Sequence, residues 1–372
     1  MKILISPSIN LQTEYHYNRI QKLVKKITNF NCQTVIKSCN GELNHYGEIT
    51  KILGKNNVFI LNNVHKAYFG KERSENFNSL LERYPSNFFY EEPNFINYNQ
   101  IKSQNIHFDF FLISIQSINK NFEIAKELKD KGVKIGLFDK VDDNQIYFDE
   151  HNYLKKINYE LYDVVFKQDL PHTLNLKNIF PIAPVPSKIK LIKQTNNSGI
   201  IHNITTSFVG DYRKNVTRGD RKELVEFFEK NYPENTYISF NKKEYHKKSF
   251  LDELNLQSLF NLSPSGKVWD SYRHCELVNY GKPIILPEPD CKIAPGSFKD
   301  MYNCIFYKTE YKNGDYKIKD LKNLKKKIDI VMSNKKIRSS IYENYYDLIA
   351  GNHTRERRSA YLIEIMSSII KR

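Results

Sequence analysis

A chain of 372 residues exceeds what one ordinary core organises, so its length predicts two α/β domains of about 150–190 residues each. Its 57 Lys and Arg outnumber 42 Asp and Glu, and 40% of the chain is hydrophobic with 13% aromatic, which excludes a disordered polyelectrolyte and predicts anionic partners. No apolar run approaches the roughly 18 residues that span a bilayer, Met1–Pro7 is far too short for a secretory core, and five cysteines (Cys32, Cys39, Cys275, Cys291, Cys304) without Cys-x-x-Cys spacing match neither a disulfide framework nor a zinc site.

A reducing cytoplasm is therefore the expected compartment. Charge alone does not choose among nucleic acid, an anionic membrane face and phosphorylated substrates.

The first half alternates short β-branched and aromatic runs with longer amphipathic ones, which predicts strands and helices taking turns. Strands are expected at Lys2–Ser6, Thr34–Lys37, Val58–Leu61, Phe108–Ile115, Val133–Phe138 and Val164–Phe166. Helices are expected at Glu14–Ile27, Arg73–Tyr84 and Asn121–Lys131, the last closed by Gly132 where φ > 0 is easily reached. Such alternation implies a mostly parallel, doubly wound sheet.

Phe180-Pro-Ile-Ala-Pro-Val-Pro and the polar run Gln194–Gly199 read as an interdomain linker, because the prolines argue against a helix or central strand. The rhythm then resumes with strand Thr206–Val209, helix Arg221–Asn231, strand Thr236–Phe240, helix Ser249–Leu254, strand Ser258–Leu262, helix Ser271–Tyr280 and strand Pro283–Leu286. From Lys319 the pattern is helical. Gly351-Asn-His-Thr354 reads as a stop and restart, with Thr354 as N-cap of a last helix from Arg355 to about Ile370. The expected domains are 1–190, 191–350 and a terminal helix, 351–372.

The segment Leu259–Leu286 carries most of the chemistry. It reads as strand, glycine loop (Ser263-Pro-Ser-Gly266), helix, tight turn (Gly281-Lys-Pro283) and strand, with Asp270 or Ser271 as cap. A loop at the carboxyl end of a parallel strand is where open α/β sheets bind ligands, and a helix N-terminus there offers N–H groups to a diphosphate. Arg273, Glu276 and Tyr280 share one helical face, so Arg273 can meet phosphate while Glu276, one turn later, accepts from both ribose hydroxyls. The bland alternative is a solvated Arg–Glu pair, worth a few tenths of a kcal/mol.

Ser263-Pro-Ser-Gly, Trp269-Asp-Ser-Tyr-Arg-His-Cys-Glu276 and Gly281-Lys-Pro-Ile284 together resemble the donor-site motif of GT-B glycosyltransferases, particularly the exostosin-like and group 1-like bacterial enzymes. Ile135–Asp143, Val164–Ala183 and Ser207–Arg213 are similar to further segments of that group, in the same order. The resemblance implies two Rossmann-like domains facing a cleft, with the C-terminal helix packing back on the N-terminal, acceptor-binding domain. It implies sugar transfer from a nucleotide-sugar, UDP foremost, to a glycan or lipid-linked glycan in surface polysaccharide or glycoconjugate synthesis, without a metal or separate cofactor. It assigns Glu276 to the ribose and Ser271, Arg273, Ser265, Gly266, Lys267, Gly210 and Arg213 to the donor. Many retaining group 1 enzymes carry a second Glu eight positions earlier; Val268 stands there, which favours inversion.

Inversion needs a base for the acceptor hydroxyl. Asp139 is the first candidate, then Asp142 and Asp143, although aspartates after strands more often serve turns; His16 is a rival from the loop after the first strand. Trp269 either stacks on a ligand or packs in the core. Lys325-Lys-Lys327 and Arg355-Glu-Arg-Arg358 read as solvated faces, or as contacts to anionic headgroups if the acceptor is lipid-linked. Nucleic acid is the less favoured partner, and a nucleic-acid-binding or DNA-base-glycosylating protein of the same fold is the alternative function.

Overall fold

The computed structural model describes residues 1–6, 45–61, 94–139, 161–183, 189, 191, 204–210, 218–240, 248–266 and 269–372. They form two compact units. One holds the described residues before Ser187 together with Arg355–Arg372, the other those from Lys188 to Thr354.

The first unit is built on a sheet of β1 (Ile3–Ser6), β2 (Val58–Leu61), β3 (Asn94–Ile96), β4 (Phe110–Ser114), β5 (Lys134–Asp139), β6 (Val164–Gln168) and β7 (Ile179–Ile182). Among the described residues its order is β3-β2-β1-β4-β5-β6-β7, every neighbour parallel. Helices are α1 (residues 45–53), α2 (Tyr98–Ser103) and α3 (Ile118–Asp130).

Period-two alternation places Ile3, Ile5, Phe110 and Leu112 in one core layer and Leu4, Phe111 and Ile113 in the other. A parallel sheet covered on both faces needs such unbroken apolar strands. Gly132 closes α3 at φ 84°, its N–H donating to the Lys129 carbonyl at 2.8 Å, as expected. The expected elements Thr34–Lys37, Glu14–Ile27 and Arg73–Tyr84 lie outside the described residues.

Phe180-Pro-Ile is a correction. These residues belong to strand β7, with Pro181 opposite Lys167, and not to a linker. The strand lies at the sheet edge, where a residue lacking N–H costs no ladder bond.

The second unit carries β8 (Ile204–Val209), α4 (Asp220–Asn231), β9 (Thr236–Ser239), α5 (Lys248–Gln257), β10 (Ser258–Leu262), α6 (Arg273–Glu276), β11 (Ile284–Pro287) and β12 (Ile305–Tyr307). Its five strands are parallel in the order β12-β11-β10-β8-β9. The antiparallel hairpin β13 (Thr309–Lys312) and β14 (Asp315–Ile318) follows, turning on Asn313 (φ 55°) and Gly314 (φ 80°). An Asn-Gly pair with both φ positive is the two-residue turn whose twist matches its strands.

Two helices, α7 (Leu321–Ser333) and α8 (Lys335–Leu348), close the unit. Leu324, Ile328 and Val331 enter the core on one sheet face, Tyr342, Tyr345 and Leu348 that on the other. The expected stop and restart falls at Thr354: residues Ile349–His353 prolong α8 by a π turn, the chain becomes extended at Thr354, and a helix resumes at Arg355.

Beyond it α9 (Arg355–Ile370) returns to the first unit, burying Leu362, Ile365, Met366 and Ile369 with Ile3, Ile5 and Tyr46. Each such side chain contributes about 1.5–3 kcal/mol of burial. The expected solvated face at 355–358 is corrected in part, since Arg355 pairs with buried Glu48 at 3.0 Å and Arg358 is itself buried.

Candidate functional site

In the second sheet the direction of strand succession reverses between β8 and β10. Open α/β sheets bind ligands outside the carboxyl ends of the strands at such a switch point. What lies there is the end of β8 (Phe208 to Gly210), the loop Ser263–Gly266 after β10, and α6.

The loop is fixed from several sides. The Ser263 N–H donates to the Ile285 carbonyl at 2.8 Å, and the Arg218 N–H to the Gly266 carbonyl at 3.1 Å. Arg221 donates from Nε and Nη2 to the Ser265 carbonyl at 3.0 and 2.6 Å. Two cations meet over one ring, with the guanidinium carbons of Arg273 and Arg221 at 5.3 and 5.7 Å from the Phe208 centroid.

Ser265, wholly buried, has no hydrogen-bond partner for its Oγ. A buried hydroxyl left unpaired costs about 1–3 kcal/mol, so such a group beside a ligand edge is a feature to explain.

His274 anchors α6. The Trp269 carbonyl 2.7 Å from Nε2 can only accept, so Nε2 carries the proton and Nδ1 accepts from the Ser263 hydroxyl at 2.7 Å. Tyr345 donates to the His274 carbonyl at 2.7 Å. Trp269 is fully buried, its Nε1 donating to the Pro287 carbonyl at 2.8 Å, so its role is core packing and not stacking on a ligand.

The expected anion-binding helix N-terminus is corrected. The α-helix spans only Arg273–Glu276, followed by a 3-10 turn, Leu277–Tyr280. Its first amides are already used: Arg273 N–H reaches Ser271 Oγ at 3.3 Å, His274 the Ser271 carbonyl at 3.0 Å, and Cys275 and Glu276 the Tyr272 carbonyl at 3.0 Å each. The turn at Ser271-Tyr272 runs straight into the helix and consumes its donors. The Tyr280 hydroxyl donates to Asp252 at 2.6 Å.

The structure thus gathers Gly210, Ser265, Gly266, Ser271 and Arg273 at one edge, with half-buried Glu276 on the following turn. Lys267, Arg213, Asp142, Asp143 and His16 lie outside the described residues. Asp139 ends β5 in the other unit, where its buried carboxylate lies 3.3 Å from the buried Lys167 ammonium. Buried and ion-paired, this carboxylate is not presented to solvent.

Sequence reading missed Phe208, Arg218 and Arg221 as site residues. The run Arg218-Gly-Asp-Arg221 at a helix start was the available signal. Arg218 pairs with Asp290 at 2.8 Å and lies 4.3 Å from the Tyr316 ring centroid; burial works against its charge, but Asp290 first of all holds its pKa above the ordinary value. Burial raises the pKa of Asp220 against the opposing hydrogen bond from Tyr307 at 2.8 Å.

No known family model matches the sequence, and no curated protein is significantly similar to it. Solved structures do match. HepE (Alr3699) of Anabaena in complex with UDP aligns over 99% of this chain and 100% of its own, with TM-score 0.55 and 11% identity. A glycosyltransferase from Rickettsia africae ESF-5 aligns over 100% and 98%, with TM-score 0.55 and 14% identity. This is the GT-B glycosyltransferase fold. HepE in complex with UDP-glucose gives TM-score 0.51 at 11% identity over 99% and 100% of the two chains. Within the GT-B fold the two parallel sheets are the two Rossmann-like domains, and the Phe208–Ser265–Arg273 edge belongs to the C-terminal one.

Proposed function

We propose that this chain is a glycosyltransferase that takes a sugar from a nucleoside-diphosphate sugar bound at the switch point of its second sheet. One observation carries the reading: the glycine loop with the unpaired Ser265 hydroxyl, and Phe208 with the Arg273 guanidinium over its ring, lie at the carboxyl ends of adjacent strands where this sheet order binds ligands. Arginine suits a diphosphate leaving group, whose developing charge must be stabilised during transfer. Glu276, a turn beyond Arg273, is assigned to the ribose.

UDP is the favoured nucleotide, supported by the complexes of the Anabaena neighbour with UDP and UDP-glucose. Acceptor recognition is assigned to the first unit, with a glycan or lipid-linked glycan as the acceptor class and surface polysaccharide or glycoconjugate synthesis as the setting. The base is assigned among Asp142, Asp143 and His16, and Val268 in place of a second acid favours inversion. The buried free thiols of Cys275, Cys291 and Cys304 suit a cytoplasmic reaction. No described helix is long and apolar enough to cross a membrane.

The test is thermal-shift screening against UDP, GDP, CMP and dTDP sugars, followed by release of nucleoside diphosphate with candidate acceptors. A ligand that binds only the native state raises the melting temperature. Stabilisation by one nucleotide series with acceptor-dependent turnover is expected; no shift with any of them would refute the proposal.

A further inference from the structure

The positive charge is not spread evenly. Residues 308–338 hold eleven Lys and Arg against four Asp and Glu, which is 7 of the chain's net charge of +15 in a stretch of 31 residues. Ten of those cations are lysines. The stretch forms hairpin β13–β14, helix α7 and the start of α8, all in the second unit.

Four lysines are paired: Lys308 with Glu288, Lys317 with Glu223, Lys325 with Asp329 and Lys327 with Asp300. Two of the four acids are committed to backbone amides, Asp315 to Gly219 and Tyr316, and Asp320 to Asn323. Lys312, Lys319, Lys322, Lys326, Lys335 and Lys336 stand exposed.

On α7, Leu324, Ile328 and Val331 point inward, while Lys322, Lys326 and Ile330 follow one another at four-residue spacing on the opposite, exposed side. Leu321 and Lys325 form the adjoining stripe. On that side the apolar Ile330, 38% exposed, follows Lys322 and Lys326 in contact with solvent.

We infer that the exposed side of α7 docks on an anionic phospholipid bilayer, its lysines at the headgroups and Ile330 at the headgroup–acyl boundary. Lysine ammonium groups at an anionic leaflet gain roughly 1 kcal/mol each, and apolar side chains between them find a partner in the interface. A nucleic-acid backbone offers the lysines a partner but leaves Ile330 without one. The single arginine of the stretch, Arg338, is turned to the Val331 and Met332 carbonyls.

The inference is independent of the donor-site reading and is tested on the full chain by vesicle flotation. The vesicles are phosphatidylcholine with and without phosphatidylglycerol. Flotation only with phosphatidylglycerol, weakening as salt rises, is expected. The triple variant Lys319→Gln/Lys322→Gln/Lys326→Gln should lose about a hundredfold in partitioning. Ile330→Ser should lose a smaller factor that persists at high salt. The control Lys55→Gln/Lys126→Gln/Lys131→Gln, on the first unit, removes the same charge and should bind vesicles as the native chain does.

Equal loss in the control, or no loss in the triple variant, overturns the inference. So does failure to bind any vesicle while duplex DNA is retained through the same lysines. All substituted side chains are exposed, and an unchanged melting temperature confirms folding; should one variant unfold, the other carries the comparison.

Discussion

Replacing Ser265 by Ala separates a binding role from a structural one, because the two predict opposite signs. In the free protein the Ser265 side chain is fully buried and its Oγ has no partner. Deleting an unpaired buried hydroxyl removes a penalty of about 1–3 kcal/mol and creates a void of about one oxygen atom, so the variant should be as stable as the native chain or up to about 1 kcal/mol more stable. For a unit of this size that is a rise of about 2–4 °C in melting temperature. If the same hydroxyl donates to a diphosphate oxygen, the bond is charge-assisted and worth about 1.5–3 kcal/mol, so nucleotide affinity should fall by roughly 10- to 150-fold. Differential scanning fluorimetry of the free protein and calorimetric titration with UDP read the two effects separately. Ser258→Ala is the matched control, since Ser258 Oγ lies 3.0 Å from Ser207 Oγ and 2.7 Å from the Leu254 carbonyl. It should lose about 1 kcal/mol of stability and no affinity. A destabilised Ser265→Ala protein that binds UDP normally would refute the reasoning.

Glu276→Ala should abolish the nucleotide-induced thermal shift while leaving the melting of the free protein nearly unchanged; a preserved shift would remove Glu276 from the donor site. His274→Ala strands the Trp269 carbonyl and the Ser263 hydroxyl, at about 2–4 kcal/mol, and should lower the melting temperature clearly; unaltered melting would show that this network contributes nothing. Lys282, buried beside Arg338, has its pKa lowered to about 8 by burial first and by that neighbouring cation second. Between pH 8 and its ordinary value near 10.5 the unfolded chain binds the proton more often than the native one, so native stability rises with pH in that window. Lys282→Met should therefore be the more stable protein at pH 7, with the difference shrinking towards pH 10 in urea melts; a pH-independent difference would contradict it.

Strand positions were readable because a parallel strand buried on both faces must be apolar without a break, as in Ile3-Leu-Ile and Phe110-Phe-Leu-Ile. Pro181 misled for a physical reason. Proline is excluded from a central strand but tolerated at an edge, and edge position is a property of the assembled sheet. The helix after Asp270 misled similarly: its spacing is helical, yet whether its first amides stay open depends on the turn at Ser271-Tyr272. Trp269 and Asp139 looked chemically able by residue type, and burial decided their surroundings.

The sequence alone determined the alternation of strands and helices, the glycine loop after β10 and the lysine-rich stretch from 308 to 338, since each follows from local periodicity or composition. Tertiary structure decided which strands adjoin across the switch point, and so that Phe208, Arg221 and Arg273 meet beside Ser265 although they lie far apart in the chain. It also decided which polar groups are already paired. Pairing is a property of three-dimensional neighbours, and no local pattern encodes it.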